Sequence, residues 1–163
     1  MASLLVIGYG NPMRSDDAVG WHAARELASR LDDEETEIVA LQQLTPETAE
    51  PVSEADLVVF IDSSTEGEPG TITEMTLEPA SPPAGDFTQP LEPASLLACA
   101  QELYGRSPDA LALSVTGAYF ETGRELSPPV AASMSTLVSE VCAIARELKA
   151  SRTGHHHHHH PRG

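Results

Sequence analysis

Three carboxylates stand where this chain could do chemistry. Asp16 and Asp17 lie in a turn, Tyr9-Gly10-Asn11-Pro12-Met13-Arg14-Ser15-Asp16-Asp17, that leads out of an apolar run. Asp62 directly closes a second apolar run, Leu57-Val58-Val59-Phe60-Ile61. Two carboxylates meeting in one crevice suit a divalent cation, which acts as Lewis acid and template for hydrolysis. A plainer account competes on equal terms: Asp16 and Asp17 cap a helix against the positive end of its dipole, and Asp62 bonds to the following Ser63-Ser64 turn. Asp16 fits that account well. Asp17 sits about one turn before Trp21, on the face expected to look towards the strand ends, where Asp62 emerges.

Other reactive groups are few. His155 to His160, followed by Pro-Arg-Gly, are an expression tag, which leaves His22 as the one histidine to consider. His22 lies five residues after Asp17, well over a quarter turn around the helix, so it is expected at the surface or partly buried rather than as a ligand. No serine or cysteine has a plausible histidine base, and no Gly-x-Ser-x-Gly elbow is present. Cys99 and Cys142 are far apart in helical patterns and read as buried structural thiols rather than a disulfide. Gly8-x-Gly10 after a strand invites a dinucleotide-binding reading, but Met13 stands where the third glycine belongs and Pro12 is unsuited to a phosphate turn.

The elements that must position the acids follow from periodicity. Residues 3 to 8 form a continuous apolar run ending at glycine, as in a central parallel strand covered on both faces. Ser15 or Asp16 is expected to cap a helix in which Val19, Ala23, Ala24, Leu27 and Leu31 recur at helical spacing. Thr36 to Leu41 reads as a strand, Pro46 to Ala49 opens a short helix, and residues 57 to 61 are another buried strand. Gly70 to Leu77 alternates like a strand, and residues 78 to 92 make a proline-rich loop long enough to be functional. Pro93 starts a helix through about Tyr104, Ala110 to Val115 is a strand, and Pro128 begins a long helix carrying Val130, Met134, Leu137, Val141 and Leu148 to the core. Strands alternating with helices imply a single α/β domain: three layers, a mainly parallel twisted sheet with helices on both faces and right-handed crossovers. Ligands bind beyond the carboxyl ends of such strands, where Asn11, Asp17 and Asp62 are expected.

Composition narrows the partners. The chain has 163 residues and a formal charge of -16, and removing Arg162 with the tag leaves eight basic residues against 25 acidic ones, or -17. Such a surface repels phosphate backbones and anionic lipid, so neither nucleic acid nor membrane is expected as a partner. Residues 1 to 152 are expected to be one domain and residues 153 to 163 vector and tag. The start, Met-Ala-Ser-Leu-Leu-Val-Ile-Gly, carries no basic leader, so a cytoplasmic protein is expected.

The segment Ile7-Gly8-Tyr9-Gly10-Asn11-Pro12-Met13-Arg14-Ser15-Asp16-Asp17-Ala18-Val19-Gly20 resembles the amino-terminal signature of the nickel–iron hydrogenase maturation proteases. The likeness runs on through Leu57 to Asp62 and Thr71 to Leu77. It implies an endopeptidase that removes a C-terminal extension from the nickel-loaded hydrogenase large-subunit precursor, the precursor being its partner and the enzyme a monomer. Asp17 and Asp62 correspond to the family's metal-binding acids and would be both catalytic and metal ligands. The third ligand is usually a histidine before the helix that begins here near Pro93; this chain has Phe87-Thr88-Gln89-Pro90-Leu91, with Gln89 the nearest match.

A neutral amide is a poorer nickel ligand than imidazole, so the expectation is nickel supplied by the substrate, with no organic cofactor. A non-catalytic assembly factor that grips the nickel-loaded precursor is the alternative. Leu41-Gln42-Gln43-Leu44-Thr45 replaces a common aspartate-glycine motif and resembles the branch serving bidirectional, NAD-linked hydrogenases. Gln42, Gln43 and Asn11 are accordingly expected to recognise substrate.

Overall fold

The computed structural model describes residues 3–31, 33–80 and 91–157, with side chains described through Ser151. The strands are β1 (Leu4–Tyr9), β2 (Thr36–Leu41), β3 (Leu57–Ser64), β4 (Ile72–Leu77) and β5 (Asp109–Thr116). The helices are α1 (Val19–Ala28), α2 (Ala49–Glu54), α3 (Pro93–Tyr104) and α4 (Pro128–His157). Short 3-10 turns, Ser15–Ala18 and Pro46–Thr48, lead into α1 and α2. The expected three-layer α/β domain is therefore present. Gln89, and most of the loop expected over residues 78 to 92, lie outside the described residues.

The strands lie in the order β2-β1-β3-β5-β4, with β4 antiparallel to β5 and the other pairs parallel. Side chains alternate across the sheet because successive Cβ atoms point to opposite faces. Leu4, Val6, Val59, Ile61, Leu113 and Val115 pack with α1 and α4, including Leu27, Leu137 and Val141. Leu5, Ile7, Val58 and Phe60 pack with α2 and α3 through Val52, Leu96 and Leu97. Burial on both faces explains why β1 and β3 are unbroken apolar runs. Cys142 packs against the first cluster and Cys99 against the second, so the sheet separates them; both are free and half-buried rather than fully buried.

The glycines of the amino-terminal turn are answered by packing. A Cβ on Gly8 would lie 1.9 Å from the Gly20 carbonyl oxygen, and a Cβ on Gly20 would lie 2.0 Å from that of Ile61. Glycine at both positions lets the start of α1 rest directly on β1 and β3. Gly10 likewise has the Asp17 carbonyl oxygen 1.9 Å from where its Cβ would be. These contacts bring Asp17 down onto the sheet edge and account for Gly8 and Gly10 without a dinucleotide.

Residues Pro128–Ser151 of α4 are long and apolar enough to cross a membrane by length and composition. In the fold, Val130, Leu137, Val138 and Val141 of this helix are buried in the cluster that packs on the sheet.

The chain leaves β1 for β2 on one side and returns past it to β3 on the other. Neighbouring β1 and β3 therefore form the switch point of the sheet, and a crevice opens beyond their carboxyl ends.

Candidate active site

A cleft of about 460 Å³ occupies this crevice. Tyr9, Gly10, Asn11, Arg14, Asp17, Gln42, Gln43, Leu44, Asp62, Ser63 and Leu91 line it. All the described residues singled out from the sequence, Asp17, Asp62, Asn11, Gln42 and Gln43, thus come together.

Asp62 follows Ile61, which pairs with Gly8, so it stands beside Tyr9 on the adjoining strand. The Tyr9 phenol donates to Asp62 Oδ2 at 2.8 Å, and the hydroxyl of Ser114, its register partner on β5, donates to Oδ1 at 2.5 Å. Burial pushes the Asp62 carboxyl above its ordinary range; the two hydrogen bonds oppose this, and the charge of Glu92 adds to it. Burial, then the charge of Asp62, pushes the Tyr9 phenol far up, which keeps it a proton donor. β3 continues through Ser63 and Ser64 rather than turning after Asp62, so the plainer account, a bond from Asp62 to that turn, gives way to these cross-strand partners.

Asp17 belongs to the 3-10 turn that precedes α1. Its Oδ2 accepts from the Asn11 amide at 2.9 Å, while the Asn11 side chain accepts from the Met13 amide at 2.9 Å. Asn11 therefore shapes the turn as well as lining the cleft.

Ser15 and Asp16 do not cap α1 as expected; neither the 3-10 turn nor α1 has a side-chain cap bond. The fully buried Asp16 instead accepts from the amides of Ala118, Tyr119 and Ser127 and from the Ser127 hydroxyl, at 2.7–3.0 Å. Burial pushes its carboxyl up, but these bonds outweigh it and hold it below the usual carboxylate range. The Ser15 hydroxyl donates to the Glu121 carbonyl, and the Gly123 amide donates to that of Met13. Ser15 has φ of 51°, a left-handed conformation fixed by these long-range bonds. Asp16 thus ties the loop after β5 to the turn that carries Asp17.

His22 is partly buried, as expected, and does not line the cleft. Burial, with the charge of Arg25, lowers its pKa, and its ring meets Trp21 edge-on at 5.1 Å.

Two carboxylates in one cleft can hold a cation that brings its own further ligands, or polarise a water. Among the described residues, no three His, Cys, Asp or Glu side chains converge to hold a metal ion by themselves. Sequence reasoning missed Tyr9, Ser114 and Arg14. Ser114 had a signal, being the one hydroxyl in the otherwise apolar run Ala110-Leu111-Ala112-Leu113-Ser114-Val115.

No family model matches the sequence, and no curated protein matches it. Solved structures do. The hydrogenase maturating endopeptidase HybD from E. coli superposes with a TM-score of 0.72 at 22% identity, covering 90% of this chain and 93% of that one. The NiFe hydrogenase maturation protease HycI from Thermococcus kodakarensis gives 0.72 at 20% identity, covering 89% and 93%. The hydrogenase 2 maturation peptidase from a Thaumarchaeota archaeon gives 0.66 at 22% identity, covering 87% and 97%. At these identities it is the backbone architecture that is shared: this chain has the fold of the hydrogenase maturation proteases.

Proposed function

We propose that this chain is a hydrogenase maturation endopeptidase that removes the C-terminal extension of the nickel-loaded large-subunit precursor. The observation that carries this reading is the meeting of Asp17 and Asp62 in one cleft, on a fold shared with hydrogenase maturation proteases. Nickel carried by the precursor would supply Lewis acidity at the scissile bond. Asp17, whose Oδ1 carries no protein hydrogen bond among the described residues, and Asp62 would engage that substrate metal. Gln89 would stand as a further, weaker ligand.

Tyr9 and Ser114 hold the Asp62 carboxylate in one orientation. Held so, Asp62 would present a fixed carboxylate edge to the substrate's metal and the water it polarises. Gln42, Gln43 and Asn11 line the cleft and would recognise the precursor, the glutamine pair matching it to a bidirectional, NAD-linked hydrogenase. The enzyme would act as a cytoplasmic monomer. Incubation with the nickel-loaded precursor tests the reading: loss of the C-terminal extension supports it, and a bound but uncut precursor indicates an assembly factor.

A further inference from the structure

Arg14 is the one basic side chain lining the cleft among the described residues, and it shares that cleft with Asp17 and Asp62. It is exposed, and among the described residues it forms no ion pair with either acid or with any other carboxylate. That is notable in a chain of 25 acidic residues and charge -16, where a guanidinium is readily neutralised from within.

Its position is fixed. The Arg14 amide donates to the Asn11 carbonyl at 3.0 Å, and the Arg14 carbonyl accepts from the Asp17 amide at 3.0 Å. Nε donates to the Phe120 carbonyl at 3.1 Å, and residue 14 forms a β-bridge with Gly123. The single side-chain bond occupies Nε and leaves both terminal amino groups for a ligand. A guanidinium steered by this bond keeps its two terminal amino groups available for two-point binding of a carboxylate.

The cleft is thus bipolar, with two carboxylates and an unpaired guanidinium. We infer that Arg14 is a specificity residue that binds a carboxylate of the polypeptide substrate, fixing the direction in which the chain enters. This rests on the reading of the cleft as a polypeptide site. Asp17 and Asp62 repel the same carboxylate, so it has one favourable place, and a cationic centre elsewhere on the substrate falls to the acids. An acidic side chain and a free C-terminus present the same chemistry and are separated by the test.

The test is an NMR titration of the whole chain with four tripeptides. Two are blocked at both ends and carry a central glutamate or a central glutamine. The other two are all-alanine, one with a free C-terminal carboxylate and one amidated. The Arg14 Nε–H signal is expected to shift and saturate with at least one carboxylate peptide and not with its neutral counterpart; the arm that responds identifies the source. Arg14→Met should weaken that binding about tenfold, and Arg14→Lys should retain part of it. With the precursor, Arg14→Met should raise KM about tenfold and move kcat far less. A purely structural Arg14 would instead lower thermal stability and depress binding of acidic and neutral peptides alike. Equal response to acidic and neutral peptides, or undiminished binding by a folded Arg14→Met, overturns the inference. Carboxylate binding by a chain that leaves the precursor uncut would retain Arg14's role and reject proteolysis.

Discussion

The Tyr9 phenol and the Asp62 carboxylate meet at 2.8 Å across the adjoining strands β1 and β3, in the lining of the cleft. A donor that stays protonated thus faces an acid whose proton affinity burial has raised. Asp62 is placed by sheet register and oriented by its neighbours on both sides.

Removing that donor should change the acid. Tyr9→Phe leaves Asp62 with the Ser114 bond alone, and a hydrogen bond to a charged group is worth about 1.5–3 kcal/mol. The Asp62 pKa is expected to rise further, as is the acid limb of precursor processing. A carboxyl-carbon NMR titration of Asp62 checks this; an unmoved titration would show that the phenol does not stabilise the carboxylate.

Asp62 should also illustrate a cost of function. Its folded pKa is raised, so its contribution to stability is greatest below the unfolded value of about 3.9 and is lost as pH rises through the folded value. Raising the pH therefore weakens the fold at Asp62. Asp62→Asn is expected to raise Tm at pH 7 by about 2–4 °C while abolishing processing. Calorimetry at pH 7 and pH 4 checks the sign, since the gain should shrink at the lower pH.

Asp16 should behave in the opposite sense. Its folded pKa is lowered, so its contribution is present above about 3.9, the unfolded value, and lost as pH falls through the folded one. Asp16→Asn leaves the donors of Ala118, Tyr119 and Ser127 imperfectly matched and is expected to cost about 3 kcal/mol at pH 7. Denaturant unfolding at pH 7 and pH 3 measures it; a similar loss at both would contradict the assignment.

The close approach of α1 to the sheet gives a backbone test. Gly20→Ala would drive a methyl into the Ile61 carbonyl and is expected to destabilise by about 3 kcal/mol, because backbone lies on both sides. Chemical denaturation measures the loss. A Gly20→Ala variant as stable as the parent would mean that α1 shifts freely.

What was legible in the sequence, and what was not, follows from how far each signal reaches. β1 and β3 announce themselves because burial on both faces demands unbroken apolar runs, and Asp62 stands out as the first polar residue after one. Asp17 was separable from Asp16 by its expected face. The role of Asp16 was not legible: its partners lie more than 100 residues away and are mostly backbone amides, which carry no side-chain signature. Tyr9 and Ser114 reach Asp62 only through strand register, which one sequence does not reveal.

The loop after β2 supplies a test of partner choice. Gln42 and Gln43 line the cleft. Replacing them with an aspartate-glycine motif is expected to shift preference among large-subunit precursors, read as relative processing rates in a mixture. Unchanged preference would remove the pair from recognition.

The central claim is most directly measured by intact-mass analysis of the nickel-loaded large-subunit precursor after incubation with the wild-type chain, Asp17→Asn and Asp62→Asn. The wild type should remove the C-terminal extension, and both variants, folded by circular dichroism, should leave it in place. An unchanged precursor mass with the wild type, or full processing by both variants, would contradict the account.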